Sequence, residues 1–332
     1  MPTITVQDII DHLAHIAPPQ YQESYDNTGL LVGHAKQEVR GVLCCLDTTE
    51  AVVDEAIEHN CNLIVSHHPI IFKGLKRLTP THYVARTVIK AIKHDIAIYA
   101  IHTNLDNVLQ QGVNQRIAQR LGLINCRILA PKQVMKVATF HFQAPPSDSL
   151  REALTAQADV HVYADGLHWQ VRYPSGSENH VRTLMRTHNG QIWSQQTDAL
   201  PATQVGSGLV GELPEPMRES DFLDLLKGKM HTGCIRHTTL LGRPVQRIAL
   251  CGGAGGFLLS HAIAVGAQFF ITADYKYHEF FDADNQIVIA DIGHYESEQF
   301  TIALLVENIS QKFSNFAVRS TELCTNPINY WC

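Results

Sequence analysis

No stretch of this 332-residue chain approaches the roughly 18 consecutive apolar residues of a membrane-spanning helix, so no membrane partner is expected. The opening Met1-Pro2-Thr3-Ile4-Thr5 lacks the basic-then-apolar pattern of a secretion leader, and the expected location is cytoplasmic. The eight cysteines contain no C-x-x-C pair; several sit inside apolar runs, as small buried hydrophobes do. In a reducing compartment they form neither a disulfide framework nor a Cys-rich structural zinc site. Positive charge is also short: 26 Lys and Arg against 32 Asp and Glu leave a net charge of −6. That gives no electrostatic case for nucleic acid, although a bound cation can still attract an anionic substrate. No Walker A or dinucleotide fingerprint is present.

Histidine is plentiful: 19, against 10 tyrosines. The chain is long enough for two domains, and its periodicities suggest a discontinuous pair. An amphipathic helix over residues 5–16, capped by Thr5, is followed by a polar turn, Asp26-Asn27-Thr28-Gly29. Strands at Val39–Leu46, Cys61–Val65 and Ile96–Ile101 alternate with helices at 48–59, 81–94 and 113–121. The 81–94 helix is expected to bury Val84, Val88, Ile89 and Ile92. From about residue 126 the order changes to strand, helix, hairpin, helix, strand: Val134–Phe142, Ser147–Gln157, Val160–Tyr163 with His168–Tyr173, 176–187 and Gln191–Ser194. This β-α-β-β-α-β order is that of a ferredoxin-like module. After residue 244 the alternation resumes and ends in one long helix from His294 to Lys312.

The expected class is therefore α/β: mainly parallel or mixed sheets with flanking helices, interrupted by an inserted ferredoxin-like α+β domain. The α/β part covers 1–125 and 236–332, and the insert with its return segment covers 126–235. Open sheets of this kind carry their sites outside the carboxyl ends of their strands. His67 and His68 stand at one such end, stopped by Pro69; Asp106 lies just past a second and His294 and Glu298 past a third. Adjacent side chains on extended backbone point oppositely, so the imidazole pair suits two ions better than one. His294 and Glu298, four apart at a helix start, share a face. Taken singly, each has an ordinary structural reading. Taken together, three imidazoles and two carboxylates suit two divalent ions such as Zn, Fe, Mn or Ni, with a carboxylate between them.

His102, placed at a strand end where helical spacing does not apply, is a candidate proton donor and acceptor, or a plain structural residue. Gly252–Gly256, between a strand and a helix, offers backbone N–H groups to an anion, with Gly253 and Gly255 as candidate contacts. Asp26 and Asn27 are candidate substrate-binding residues, the alternative being an Asx turn.

Ser66-His67-His68-Pro69-Ile70-Ile71-Phe72, His102-Thr103-Asn104-Leu105-Asp106 and Gly293-His294-Tyr295-Glu296-Ser297-Glu298 resemble the signatures of the GTP cyclohydrolase I type 2 family, the Nif-three-like proteins. Asp26–Gly29, the glycine run and Lys276-Tyr277-His278 extend the likeness. The resemblance implies two metal ions per subunit on His67, His68, Asp106, His294 and Glu298, and a ring-shaped homohexamer. It also implies a PII-like insert and a small-molecule substrate, with water attacking the imidazole ring of GTP. Tyr25 stands where tryptophan is usual, Ala273 where glycine is usual, and the insert is short. Amide or phosphoester hydrolysis would use the same five ligands. A non-catalytic, regulatory metal-binding assembly with the insert as sensor or gate is the competing class.

Overall fold

A computed structural model describes residues 3–132, 135–156, 160–174, 177–197 and 204–331. The chain divides into two compact units, Met1–Ala130 with Gly206–Cys332, and Pro131–Val205. The smaller unit is narrower than the expected 126–235. The return segment belongs to the larger unit, because its long strand pairs there and its helix buries Phe222, Leu226 and Met230 in that core.

The larger unit opens with α1 (Val6–Ile16), whose Thr5 and Asp8 form a reciprocal capping box. There follow β1 (Gly29–Val32), β2 (Gly41–Cys45), α2 (Glu50–Glu58), β3 (Leu63–Ser66), α3 (Tyr83–Lys93) and β4 (Ala97–Ala100). A short α4 (Thr103–Asp106), α5 (Val113–Leu121) and β5 (Ile124–Pro131) complete this part. The buried stripe of α3 is Ala85, Thr87, Val88 and Ala91, with Ile92 exposed. Val88 is buried and Val84 packs against the core as expected, whereas Ile92 points outward and the small Ala85 and Ala91 complete the buried stripe.

The smaller unit holds β6 (Met135–His141), α6 (Asp148–Thr155), β7 (His161–Asp165), β8 (His168–Pro174), α7 (Glu178–Thr187) and β9 (Gln191–Thr197). The expected helix ends at Gln157 and Gly176 lie outside the described residues. Its antiparallel sheet has the order β7-β8-β6-β9. Leu150 and Leu154 of α6 and Val181 and Met185 of α7 join Phe140, Phe142, Trp169, Val171 and Tyr173 in one core.

The chain returns to the larger unit with β10 (Gly206–Met217), α8 (Glu219–Met230), β11 (Arg236–His237) and β12 (Val245–Ala254). Then come α9 (Leu259–Ala264), β13 (Phe269–Ala273), β14 (Val288–Asp291), α10 (His294–Glu298), α11 (Thr301–Lys312) and β15 (Ala317–Ser320). The expected single helix over His294–Lys312 is two helices, since Gln299 and Phe300 interrupt it. One sheet has the order β1-β4-β3-β2-β15, with β1 antiparallel to parallel neighbours. The other runs β11-β14-β13-β12-β10-β5, with β12, β13 and β14 parallel. β2, β3, β13 and β14 are buried along their whole length, as strands covered on both faces must be.

Candidate metal centre

The two parallel-strand sets of the larger unit direct their carboxyl ends at one place. β3 stops at Ser66, and the next two backbone amides donate to the carbonyls of Cys45 and Leu46, fixing His67 and His68. After β4, the Asp106 amide donates to the carbonyl of His102, so α4 is a helical turn and His102 and Asp106 do share helical spacing. After β14, Gly293 adopts φ +92°, a left-handed conformation that turns the chain into α10. His294 and Glu298 then face inward, 3.1 Å apart.

All five expected donors meet. His67 Nε2 lies 3.5 Å from Asp106 Oδ1 and 3.9 Å from Glu298 Oε1. His68 Nε2 lies 3.0 Å from Glu298 Oε2 and 3.4 Å from His294 Nε2. Ligand atoms around a tetrahedral ion with bonds of about 2.0–2.1 Å stand roughly 3.3 Å apart, which these separations match. Three overlapping groups can each hold an ion: His67 with Asp106 and Glu298, His68 with His294 and Glu298, and His67 with His68 and His102. Glu298 is shared by the first two groups, as a bridging carboxylate would be.

Buried polar atoms almost always find a partner. His67 Nε2, Asp106 Oδ1 and Glu298 Oε2 have no hydrogen bond, although His67 is fully buried and Glu298 only 3% exposed. Three lone pairs aimed into one polar pocket fit divalent cations, and the donor set suits them.

Each imidazole is also held from behind. His67 Nδ1 reaches the Ile101 carbonyl at 2.9 Å, His68 Nδ1 reaches Asp47 at 2.8 Å, His294 Nδ1 reaches Asp274 at 2.7 Å, and His102 Nδ1 reaches Asp26 at 2.8 Å. An oxygen acceptor there keeps the proton on Nδ1 and turns the Nε2 lone pair toward the pocket. Burial alone would lower the pKa of His68, but Asp47 and Glu298 raise it to about 10. Burial likewise opposes, and Glu298 and Asp274 overcome, so that His294 rises to about 11. Burial would raise Glu298, yet the imidazoles hold it well below the usual carboxylate range. Asp106 is raised, chiefly by burial. Without metal, the pocket balances its carboxylates with protons on imidazole.

The candidate substrate contacts are placed otherwise. The Asp26 carboxylate is fully buried and accepts from His102, from Asn27 N–H, and from Thr103 through both amide and hydroxyl. Both of its oxygens are engaged within the protein, and one of them orients His102. Asn27 is spent on the Ile71 carbonyl. Three amides of the glycine run are engaged within the protein: Gly252 N–H donates to Asn114, Gly253 N–H to Ser297 and Gly255 N–H to Thr272. Glycine is required for a different reason. Gly253 has φ +63°, and a Cβ there would strike Glu298 Oε1 and crowd His294.

Asp47, Asp274, Asn114 and Ser297 were not anticipated. Asp47 and Asp274 follow the ends of β2 and β13, so the strand-end rule that singles out His67 applies to them as well. Asn114 joins the Asp106 carbonyl to Gly252, a link between two sheets that no local pattern announces.

The profile of the Duf34/NIF3 (NGG1p interacting factor 3) family matches residues 4–327. The GTP cyclohydrolase 1 type 2 homolog of Staphylococcus aureus strain Mu50 is 31% identical over 367 residues, covering 98% of this chain and 99% of that one. A solved Staphylococcus aureus structure superposes with a TM-score of 0.79 at 28% identity, and a Bacillus cereus protein related to NIF3 with 0.77 at 27%; both cover each chain completely. No helix among the described residues is long and apolar enough to cross a membrane.

Proposed function

The chain belongs to the Duf34/NIF3 family, and from that premise we propose a two-metal hydrolase of the GTP cyclohydrolase 1 type 2 kind, opening the imidazole ring of a purine nucleotide by water attack. The observation that carries this reading is the single carboxylate, Glu298, common to both donor groups. Two divalent ions held there would supply Lewis acidity and bring the pKa of a water toward neutrality. His67 and Asp106 would hold one with Glu298; His68 and His294 would hold the other. His102, fixed by Asp26 with its Nε2 free, carries the proton between water and leaving group.

Substrate recognition falls to side chains. Tyr25 (65% exposed) and Phe257 (65%) line the cavity that contains His102, Asp106 and Glu298, while Phe72 (44%) borders the cavities beside His68. These rings offer flat faces to a purine. Because Gly252, Gly253 and Gly255 have spent their amides, the phosphates need a cation, for which we nominate Lys73 on the wall beside His68.

The test is turnover of GTP and other nucleotides by metal-loaded protein. Asp106→Ala is expected to abolish it while circular dichroism stays unchanged; turnover persisting in that variant would place the chemistry elsewhere. We also read Pro131–Val205 as a ferredoxin-like, PII-like insert, since its strand order and β-α-β-β-α-β sequence follow that pattern. That compact unit contains none of the metal donors, which favours a second reading in which it senses or gates. A homohexamer remains part of the proposal, checked by light scattering.

A further inference from the structure

In the smaller unit, Phe140, Phe142 and Trp169 turn to the helix-covered core, so the intervening His141 and the preceding His168 turn to the opposite sheet face. His141 and His168 are direct cross-strand partners on the two central strands. Their ring centroids are 4.6 Å apart, tilted by 36°. Trp193 of β9, 69% exposed, stands edge-on to both, 5.6 Å from His141 and 5.7 Å from His168. His141 Nδ1 is buried and has no hydrogen-bond partner.

Two imidazoles on neighbouring strands, one with an orphaned nitrogen, offer a pair of donors whose backbone entropy is already spent by the sheet. No third His, Cys, Asp or Glu joins them among the described residues. We propose that His141 and His168 bind a single imidazole-preferring divalent cation, Cu²⁺, Ni²⁺ or Zn²⁺, with water or another small ligand in the remaining positions. Trp193 flanks this site and reports its occupancy. The site is separate from the Glu298 centre in both residues and donor set: it lacks a carboxylate, so it favours copper and nickel over magnesium, calcium or manganese.

The experiment uses the full-length chain, first loaded with Zn²⁺ and freed of excess, then titrated with Cu²⁺ while tryptophan fluorescence and the copper paramagnetic resonance signal are followed. Quenching that saturates at one equivalent, with a nitrogen-split copper signal, is expected for the native chain. His168→Gln, at an exposed position where misfolding is not expected, should weaken that binding by about 100-fold, since one of two linked contacts is lost. Trp193→Phe should keep the copper signal and lose most of the quenching. Glu298→Ala should leave the quenching in place, which separates this site from the centre in the other unit. Absence of quenching in the native chain, or quenching unchanged in His168→Gln, would overturn the proposal.

Discussion

Two histidine clusters among the described residues are built on opposite principles. In the larger unit His67, His68, His102 and His294 are each fixed through Nδ1 by a carbonyl or carboxylate, and their other nitrogens converge beside buried carboxylates. In the smaller unit two imidazoles lie side by side on neighbouring strands, with His141 Nδ1 unanchored and, among the described residues, no acid grouped with them. The first arrangement concentrates negative charge that must be neutralised by protons or metal, and it fixes geometry in advance. The second holds its two donors in register by strand pairing. Preorganisation and charge, rather than the number of histidines, separate a centre suited to chemistry from one suited to reversible binding.

Removing the shared acid tests this contrast most severely. On the proposed two-ion reading, Glu298→Ala should cost the larger unit both ions, whereas Asp106→Ala should cost one, as read by elemental analysis of dialysed protein. Equal losses in the two variants would mean that Glu298 does not bridge. Backbone strain gives a second, smaller contrast. Gly253 and Gly166 both have positive φ, +63° and +54°, but a Cβ at Gly253 meets Glu298 while one at Gly166 meets open space. Gly166→Ala should cost about 1–2 kcal/mol of stability, the left-handed strain alone. Gly253→Ala should cost more than that and weaken metal binding too. Denaturant melts of the two variants check the order.

The same contrast shows what could be read in advance. His67, His68, Asp106, His294 and Glu298 were legible because strand ends in an α/β sheet collect functional groups, and a helix places i and i+4 together. The β-α-β-β-α-β order was legible because Asp165-Gly166 marks a hairpin between two short strands. What escaped was tertiary. That Gly253 and Gly255 have no amide to spare depends on Ser297 and Thr272, 44 and 17 residues away. That the Asp26 carboxylate holds His102 depends on a contact across 76 residues. The return segment was assigned to the insert because its polar run hid a strand that pairs with β12.

Anchoring predicts intermediate effects. Asp47→Asn and Asp274→Asn should each weaken metal binding by about 10–100-fold, since outer acceptors orient the ligands and raise their basicity. The proposed His141–His168 site draws on neither acid, and binding there should be unaffected. Acidity sharpens the point further. The folded pKa values of His68 and His294, about 10 and 11, are above the ordinary 6.5, so the protonated pair stabilises the metal-free chain. That stabilisation is complete below about pH 6.5 and is lost as the pH rises through about 10. Metal must displace the same protons, so affinity at the Glu298 centre should increase by about tenfold per pH unit for each proton released. Chelator competition at pH 6.5, 7.5 and 8.5 measures the slope; a flat profile would show that the imidazoles are already neutral.

The smallest effect should come from farthest out. Thr325, near the end of the chain, donates its hydroxyl to Asp47 Oδ2 at 2.7 Å, while the other oxygen of that carboxylate holds His68. Losing one neutral hydrogen bond to an acid that keeps its principal partner costs about 1 kcal/mol. Thr325→Ala should therefore lower metal affinity by about fivefold, and Thr325→Ser should restore it, because the hydroxyl matters and the methyl does not. An unchanged affinity in Thr325→Ala would mean that Asp47 is held by His68 alone, and that the anchoring which distinguishes the two clusters ends one shell closer to the metal than the hydrogen bonds suggest.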